Sequence, residues 1–261
     1  MKKLITITSI LAAGTLFASA DTYTWTGTSG NKKWETSSNW DLNNSYYPQS
    51  NKDTAIIGEN AGTITISTDF RAFAAANVTI KSGSSVSATV GGNTADFEGS
   101  IFNLLGGRYE VTGTNAIGFK GNFTFNYGDV TSDSQGYFGL TMSSGTMWLQ
   151  STAATFNATI NASTYGAGQH TITLATIYAP AWNSGPISYN LRGISVSGYT
   201  LVNDVTNVNA LSAGQYAVYH DSATGKVNVI FNNVPEPSMF GLLAGLGALA
   251  LVGARRRRKT K

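Results

Sequence analysis

Polar and apolar residues alternate along most of the chain, in short runs that glycine, asparagine, serine or aspartate interrupts. A period of two places alternate side chains on opposite faces of a strand, and the interrupting residues are typical of turns. No stretch between residues 21 and 233 has a convincing helical period. The pattern therefore predicts an all-β body. Clear alternation occurs at residues 63–66, 77–80, 108–111, 122–125 and 170–174.

The strand segments recur at a fairly even interval, with one apolar position per repeat separated by 21 to 25 residues from the next. This interval favours a parallel β-solenoid of the right-handed β-helix type, in which each coil of short strands stacks on the previous one. A β-sandwich is the alternative, because it has similar strand spacing but more antiparallel hairpins. The positions are Val78, Phe102, Phe123, Met147, Ile172, Ile194 and Val218.

The end of the body has a different pattern. Two alternating segments, at 215–220 and 226–231, flank a five-residue loop that ends in Gly225. A loop of this length and composition predicts a β-hairpin. We expect this hairpin to cap the open end of the solenoid and to protect its edge from pairing with other chains.

The N-terminus has the three parts of a secretory signal peptide: two lysines, an apolar stretch and a small-residue cleavage site made by Ala18 and Ala20. Cleavage is predicted before Asp21. Residues 1–20 are therefore assigned to a signal peptide that the Sec translocon and signal peptidase handle. Residues 21–233 are assigned to a β-rich extracytoplasmic passenger.

The C-terminal segment 234–261 contains three elements in order. Pro235, Glu236 and Pro237 are followed by an uncharged apolar run over 239–254 and then by a basic cluster. As a helix this run rises about 24 Å, against a hydrocarbon core of about 30 Å, so the predicted membrane helix needs local bilayer thinning. The positive-inside rule keeps the basic cluster cytoplasmic and places the body outside. The cluster consists of Arg255, Arg256, Arg257 and Arg258, followed by Lys259.

This order of elements closely resembles the PEP-CTERM sorting signal of exported proteins from Gram-negative bacteria. The resemblance implies that an exosortase, a membrane-embedded transpeptidase-like enzyme, recognises Pro235, Glu236 and Pro237. It also implies transient anchoring in the inner membrane, followed by a final location in the cell envelope, at the surface or outside the cell. Systems of this kind resemble ones that accompany exopolysaccharide production, so a biofilm polysaccharide or another glycan is an expected partner.

The first forty residues of the body are rich in aromatic side chains, including Trp34 and Trp40. Their Trp-Thr-Gly, Asn-Trp and Asp-x-Ala-x-Ile pattern resembles the start of β-helical, autotransporter-like bacterial surface proteins. Two roles are open for these tryptophans, since they could cap the end of the core or stack on sugar rings. Trp148 and Trp182 are further candidates for stacking on a glycan.

The isoelectric point of about 9.0 reflects the ends of the chain and not its body. Eight of the 17 Lys and Arg residues lie in the two terminal segments, which leaves nine in the body against 13 acidic residues. A nucleic-acid partner is therefore not expected. The chain has no cysteine, which excludes disulfides, thiol nucleophiles and thiolate metal sites.

Residues with catalytic potential are sparse. The two histidines lie fifty positions apart, and the sequence lacks nucleophile-elbow, phosphate-loop and zinc-protease motifs. The carboxylate pairs Asp96 with Glu98 and Asp129 with Asp133 lie among glycine and serine, where aspartate ordinarily forms turns. No catalytic residue, cofactor or metal site is predicted, and we expect the protein not to be an enzyme.

The sequence therefore predicts an exported structural or adhesive protein of the cell envelope, sorted through its C-terminal motif. A carbohydrate-binding surface module is the first alternative, which would need exposed aromatic residues aligned on one face. A β-helical glycosidase or lyase is the second alternative, which would need charged residues that converge in a groove.

Overall fold

The computed structural model of the protein describes residues 20–42, 46–49, 52–66, 75–90, 95–114, 116–144, 146–183, 187–203 and 211–233. These residues form 17 strands and two 3₁₀ turns, the latter at Ser37–Asn39 and Ala162–Thr164. The strands are β1 (Thr22–Thr24), β2 (Asp53–Ile57), β3 (Gly62–Ile66), β4 (Ala75–Lys81), β5 (Ser84–Val90), β6 (Ala95–Glu98), β7 (Ile101–Leu105), β8 (Arg108–Gly113), β9 (Ala116–Val130), β10 (Tyr137–Met142), β11 (Thr146–Ile160), β12 (Gly168–Tyr178), β13 (Trp182–Asn183), β14 (Ser188–Val196), β15 (Thr200–Leu201), β16 (Gln215–Asp221) and β17 (Lys226–Asn233).

The strands belong to two sheets. The first sheet has the order β1-β2-β4-β7-β9-β11-β13, and β6 and β14 also pair with β9 and β11 respectively. The second sheet has the order β15-β16-β17-β12-β10-β8-β5-β3. From β2 to β12 the chain passes repeatedly from the first sheet to the second and back, so each new strand adds beside the strand of the preceding circuit.

The described residues form strands and two 3₁₀ turns, which confirms the all-β prediction. The connectivity also makes the two sheets largely parallel. Antiparallel pairing of strands within a sheet is confined, among the described residues, to the contacts of β17 with β12 and β16. The β-sandwich alternative requires mainly antiparallel neighbours, and the pairing from β1 to β12 does not have that pattern.

Aromatic rings form a continuous row in the core between the two sheets. Phe102 pairs with Phe125, and Phe125 pairs with Phe156, so their rings stack with centroids 5.4 and 4.9 Å apart. Phe138 from the second sheet packs against this row, 4.6 Å from the Phe125 ring. All four residues are at most 2% exposed. Parallel registry thus repeats one inward position from strand to strand and produces a core of matched side chains.

The predicted hairpin is present, but it does not lie across the end of the core. β16 and β17 pair antiparallel around the loop that ends in Gly225. The hairpin extends the second sheet, because β17 also pairs antiparallel with β12 along most of its length. Gly225 has a φ of +69°, and a Cβ there would lie 2.2 Å from the Ile177 carbonyl oxygen, so only glycine fits this close approach.

The predicted membrane helix at 239–254 lies outside the described residues, as does the whole of 234–261. In the ranges given above, no helix has the length and hydropathy required to cross a bilayer.

Candidate functional site

The outer face of the first sheet carries a ladder of asparagine side chains. Nδ2 of Asn126 donates to Oδ1 of Asn103 at 2.9 Å, and Nδ2 of Asn157 donates to Oδ1 of Asn126 at 2.8 Å. Asn103 in turn donates to the Thr79 hydroxyl at 3.3 Å. The ladder ends at Gly193, where a Cβ would lie 2.0 Å from Oδ1 of Asn157. Each rung therefore fixes the orientation of the next amide.

A second outward row runs beside this ladder, two positions earlier on each strand up to β11 and three positions earlier on β14, where the register shifts. Like the ladder it consists of uncharged residues, so this half of the face offers hydrogen-bonding groups without net charge. The register aligns Thr54, Asn77, Ile101, Thr124, Thr155 and Asn190 in this row.

Trp148 lies on the same sheet and is 49% exposed, in contrast to the buried aromatic residues of the core. Its backbone pairs with Gly118 on β9 and with Asn183 on β13. Gly118 also pairs with Asp96 on β6, so Asp96 lies two strands from Trp148, or about 10 Å. Gly118 itself has no side chain and is buried.

The other tryptophans are placed differently from Trp148. Trp34 and Trp40 are 4% and 3% exposed, and their rings pack edge to face with centroids 4.8 Å apart. The indole N–H of Trp34 donates to the carbonyl of Pro48 at 2.9 Å. No ring face of either residue is open to a sugar, so capping of the core is the role that fits them. The Trp182 backbone pairs with Met147, and its side chain lies outside the described part of the structure.

The two histidines occupy separate positions. Nε2 of His170 lies 2.8 Å from the Gly166 carbonyl oxygen, and the ring packs against Phe231. The His220 ring stacks on Tyr189 with centroids 3.9 Å apart, and its Nε2 is buried without a hydrogen-bond partner. Burial lowers the pKa of His220 below 6.5, and the nearby Asp221 carboxylate partly offsets this effect. Neither arrangement resembles a general base that is oriented by a carboxylate.

Of the two candidate carboxylate pairs, only Asp129 and Asp133 have side chains that the structure describes. The side chains of Asp96 and Glu98 lie outside what the structure describes, although their backbones pair with Gly118 and Lys120. Asp129 borders a cavity of about 170 Å³. The other lining residues are Ser82, Leu105, Gly106, Tyr127 and Gln135. Among the described residues, no three histidine, aspartate or glutamate side chains cluster as metal ligands.

A charged cluster on the second sheet was not predicted from the sequence. Nη2 of Arg108 donates to Oε1 of Glu110 at 2.7 Å, and the Arg108 guanidinium lies 4.5 Å from the centre of the Tyr137 ring. Opposite charges at positions i and i+2 of a strand share a face, and this spacing was the available signal. The pair is partly exposed, so it is expected to add little to stability.

Of the predicted processing and sorting residues, Ala20 and Asp21 lie within the described body, at its start. Asp21 directly precedes β1, and its carbonyl accepts a hydrogen bond of 2.8 Å from the Thr54 amide on β2. The sorting residues Pro235, Glu236 and Pro237 lie outside the described ranges, as do Ala18 and the four arginines.

Comparison with known proteins identifies one family feature. Residues 233–258 match the PEP-CTERM protein-sorting motif, so the chain carries this sorting signal. The motif implies export and exosortase-dependent, membrane-anchored sorting toward the cell surface. No curated protein and no solved structure matches the chain. The autotransporter-like resemblance of the body therefore stays a prediction.

Proposed function

We propose that this protein is a structural or adhesive component of the cell envelope, with a parallel β-solenoid as its body. In this proposal the C-terminal tail holds the chain in the inner membrane until an exosortase processes it. The observation that carries the proposal is the ladder of Asn103, Asn126 and Asn157, which gives the first sheet a regular, internally hydrogen-bonded outer face.

The chemistry of this face favours an uncharged partner. The ladder and the neighbouring row contain only neutral side chains, so contact with them depends on hydrogen bonds and shape complementarity. Such a contact is little affected by salt, in contrast to one between charged surfaces. Neutral glycans of the extracellular matrix have the hydroxyl density that a face of amides and hydroxyls can bind.

An enzymatic role has less support. Glycoside hydrolysis requires two carboxyl groups held at a set separation, one of them with a raised pKa. Asp129 and Asp133 are both exposed, beside a turn of serine, glycine and glutamine residues. A role for Asp133 as a turn residue is the simpler interpretation.

A carbohydrate-binding module is the second candidate, and the exposure of Trp148 favours it. An indole that is half exposed on the surface of a sheet presents an apolar face on which a pyranose ring can stack. In the carbohydrate-binding proposal, Trp148 supplies the main contact and the neutral face extends the binding surface.

Two measurements separate these candidates. Protein recovered from the envelope would be washed with concentrated salt, and the purified protein would be sedimented with insoluble exopolysaccharide from the same cells. A structural role at the neutral face predicts retention in salt for the wild type and for Trp148→Ala. A carbohydrate-binding role predicts that Trp148→Ala weakens co-sedimentation by about tenfold, or about 1.4 kcal/mol.

Tyr178→Ala is the matched control, because Tyr178 is an exposed aromatic residue on the second sheet. Equal loss of co-sedimentation in both variants would contradict a specific site at Trp148. Release of the wild-type protein by salt alone would contradict the neutral-face contact.

A further inference from the structure

The last described residue, Asn233, is held by an unusually complete set of hydrogen bonds. Its side chain is 9% exposed, and its Nδ2 lies 3.1, 2.6 and 2.8 Å from the carbonyl oxygens of Ala162, Tyr165 and Gly166. Its Oδ1 accepts a hydrogen bond from the Tyr199 hydroxyl. We name these five residues the exit clamp.

The strand that ends in the exit clamp is itself firmly placed. β17 lies between β12 and β16, and Asn233 is paired with Gly168 at the start of β12. A strand with neighbours on both sides does not fray as an edge strand does. The point at which the chain leaves the body is therefore fixed on both its backbone and its side chain.

The chain leaves from one particular edge of the body. This exit edge consists of the turns that lead from the first sheet to the second, and they stack on one another. For example, the Asn161 amide donates to the Val130 carbonyl, and the Thr164 hydroxyl donates to the Thr131 carbonyl. The turns are at 58–61, 82–83, 106–107, 131–136, 161–167 and 197–199.

The opposite edge is far from the exit clamp. β12 begins beside Asn233 and runs to the opposite edge, and its 11 residues span about 36 Å. Ser144 lies on that opposite edge, where its hydroxyl donates to the Thr114 carbonyl.

The distance from the exit clamp to the predicted membrane segment is short. Five residues, 234–238, separate Asn233 from the apolar run at 239–254. Asn233 and Met239 are therefore six residue steps apart, which in any conformation is no further than about 22 Å. The exit edge must consequently lie within that distance of the start of the apolar run, whereas the opposite edge is not restrained in this way.

From this geometry we infer that the exit edge is the membrane-facing surface of the body while the tail is intact, and that Asn233 is the residue that sets this orientation. The partner is the bilayer surface from which a membrane-embedded processing enzyme takes the tail. This inference rests on the proposed seating of the tail in the inner membrane. In this orientation the outer face of the first sheet does not face the membrane. It is therefore accessible to other envelope components before cleavage.

A pair of single-cysteine variants tests the orientation. The chain has no cysteine, so Ser163→Cys on the exit edge and Ser144→Cys on the opposite edge each introduce a unique thiol. Both serines are exposed residues in turns. The chain from Asp21 to Lys261, labelled with a fluorophore at that thiol, would be reconstituted in vesicles of phosphatidylethanolamine and phosphatidylglycerol. A phospholipid spin-labelled on its headgroup would serve as the quencher.

We expect several-fold stronger quenching at position 163 than at position 144. A flexible Gly-Ser insertion between Asn233 and Val234 keeps the exit clamp but lengthens the tether, so it should abolish the difference. Asn233→Ala should reduce the difference while the unfolding midpoint shows that the body remains folded. If Asn233→Ala does not fold, the insertion variant still provides the test.

Equal quenching at the two positions in the unmodified chain would overturn the inference, and so would a difference that survives the insertion. A chain that does not bind the vesicles would contradict both this inference and the proposed seating of the tail. Failure of the glycan and salt experiments would affect only the proposed function of the outer face, so the two outcomes are distinguishable.

Discussion

The main-chain nitrogen of Asp21 lies 3.4 Å from Oδ1 of Asp53, whose side chain is only 4% exposed. In the uncleaved chain this nitrogen is an amide. Cleavage before Asp21 would convert it into an ammonium group beside a buried carboxylate, and hydrogen bonds between charged groups are stronger than neutral ones. Signal-peptide removal would therefore add a stabilising contact at the first strand.

Asp53→Asn should consequently destabilise a chain that begins at Asp21 more than a chain that begins at Ala20. The expected additional loss is about 1.5–3 kcal/mol, the range for hydrogen bonds to charged groups. Urea unfolding of the four proteins gives this coupling as a double-mutant cycle. An equal loss in both backgrounds would show that the new terminus does not interact with Asp53.

The buried tryptophans should matter for stability, whereas the exposed one should not. Trp40→Ala removes a ring that packs against Trp34 and Trp25, together with a hydrogen bond of 2.8 Å to the Trp34 carbonyl. A loss of about 3–5 kcal/mol is expected from urea unfolding. Trp148→Ala should change the free energy of unfolding by no more than about 0.5 kcal/mol. Similar values for the two variants would contradict the capping role.

The asparagine ladder should contribute through its central member. Asn126→Ala removes a donor and an acceptor at once, so we expect a loss of about 1–2 kcal/mol in unfolding free energy. Asn122→Ala is the control, because Asn122 is exposed on the same strand and should cost less than about 0.5 kcal/mol. If the two substitutions have the same effect, the ladder does not stabilise the face.

Stability should decrease below neutral pH because of His220. The pKa of this residue is lowered by burial, so the unfolded chain binds a proton at about pH 6.5 while the folded chain binds it at lower pH. The unfolded state therefore binds more protons between these two values, and stability falls as pH drops through this window. Hydrogen bonds from Thr224 and Ala223 lower the pKa of Asp221 below 3.8, so that carboxylate titrates outside the window.

His220→Phe keeps a ring stacked on Tyr189 but removes the titrating group. The difference in unfolding free energy between wild type and variant, measured from pH 8 to pH 5, should move in favour of the variant as pH falls. A difference that does not change with pH would show that the burial of His220 has no thermodynamic effect.

Alternation of polar and apolar residues was sufficient to predict strands. The repeat length favoured parallel stacking but left the β-sandwich as an alternative, which the strand pairing then resolved. The register was only partly predictable. Val78 does pair with Phe102, but the next partner in the row is Phe125 and not Phe123. The following step, to Phe156, is longer because residues 131–136 form an extended turn before β10. Turns can change length without altering the stacked strands, so a strict period fails at them.

The candidate site was less predictable, for physical reasons. A tryptophan near a chain end can cap a core or project into solvent, and only tertiary packing separates Trp34 from Trp148. Asn233 gave no local signal, because it precedes a proline-rich segment and its partners lie 34 to 71 residues away in the chain. The only sequence signal for the asparagine ladder was the occurrence of about one asparagine in each repeat.

The most direct test of the account is the intact mass of the protein from cell-envelope and culture fractions, measured beside a variant with Pro235→Ala and Pro237→Ala. We predict an N-terminus at Asp21 and a C-terminus trimmed near Pro235–Ser238 in the wild type, with that trimming lost in the variant. If both the wild type and the variant have the masses expected for their uncut chains, so that Arg258 is still attached in each, the result would contradict sorting through the PEP motif.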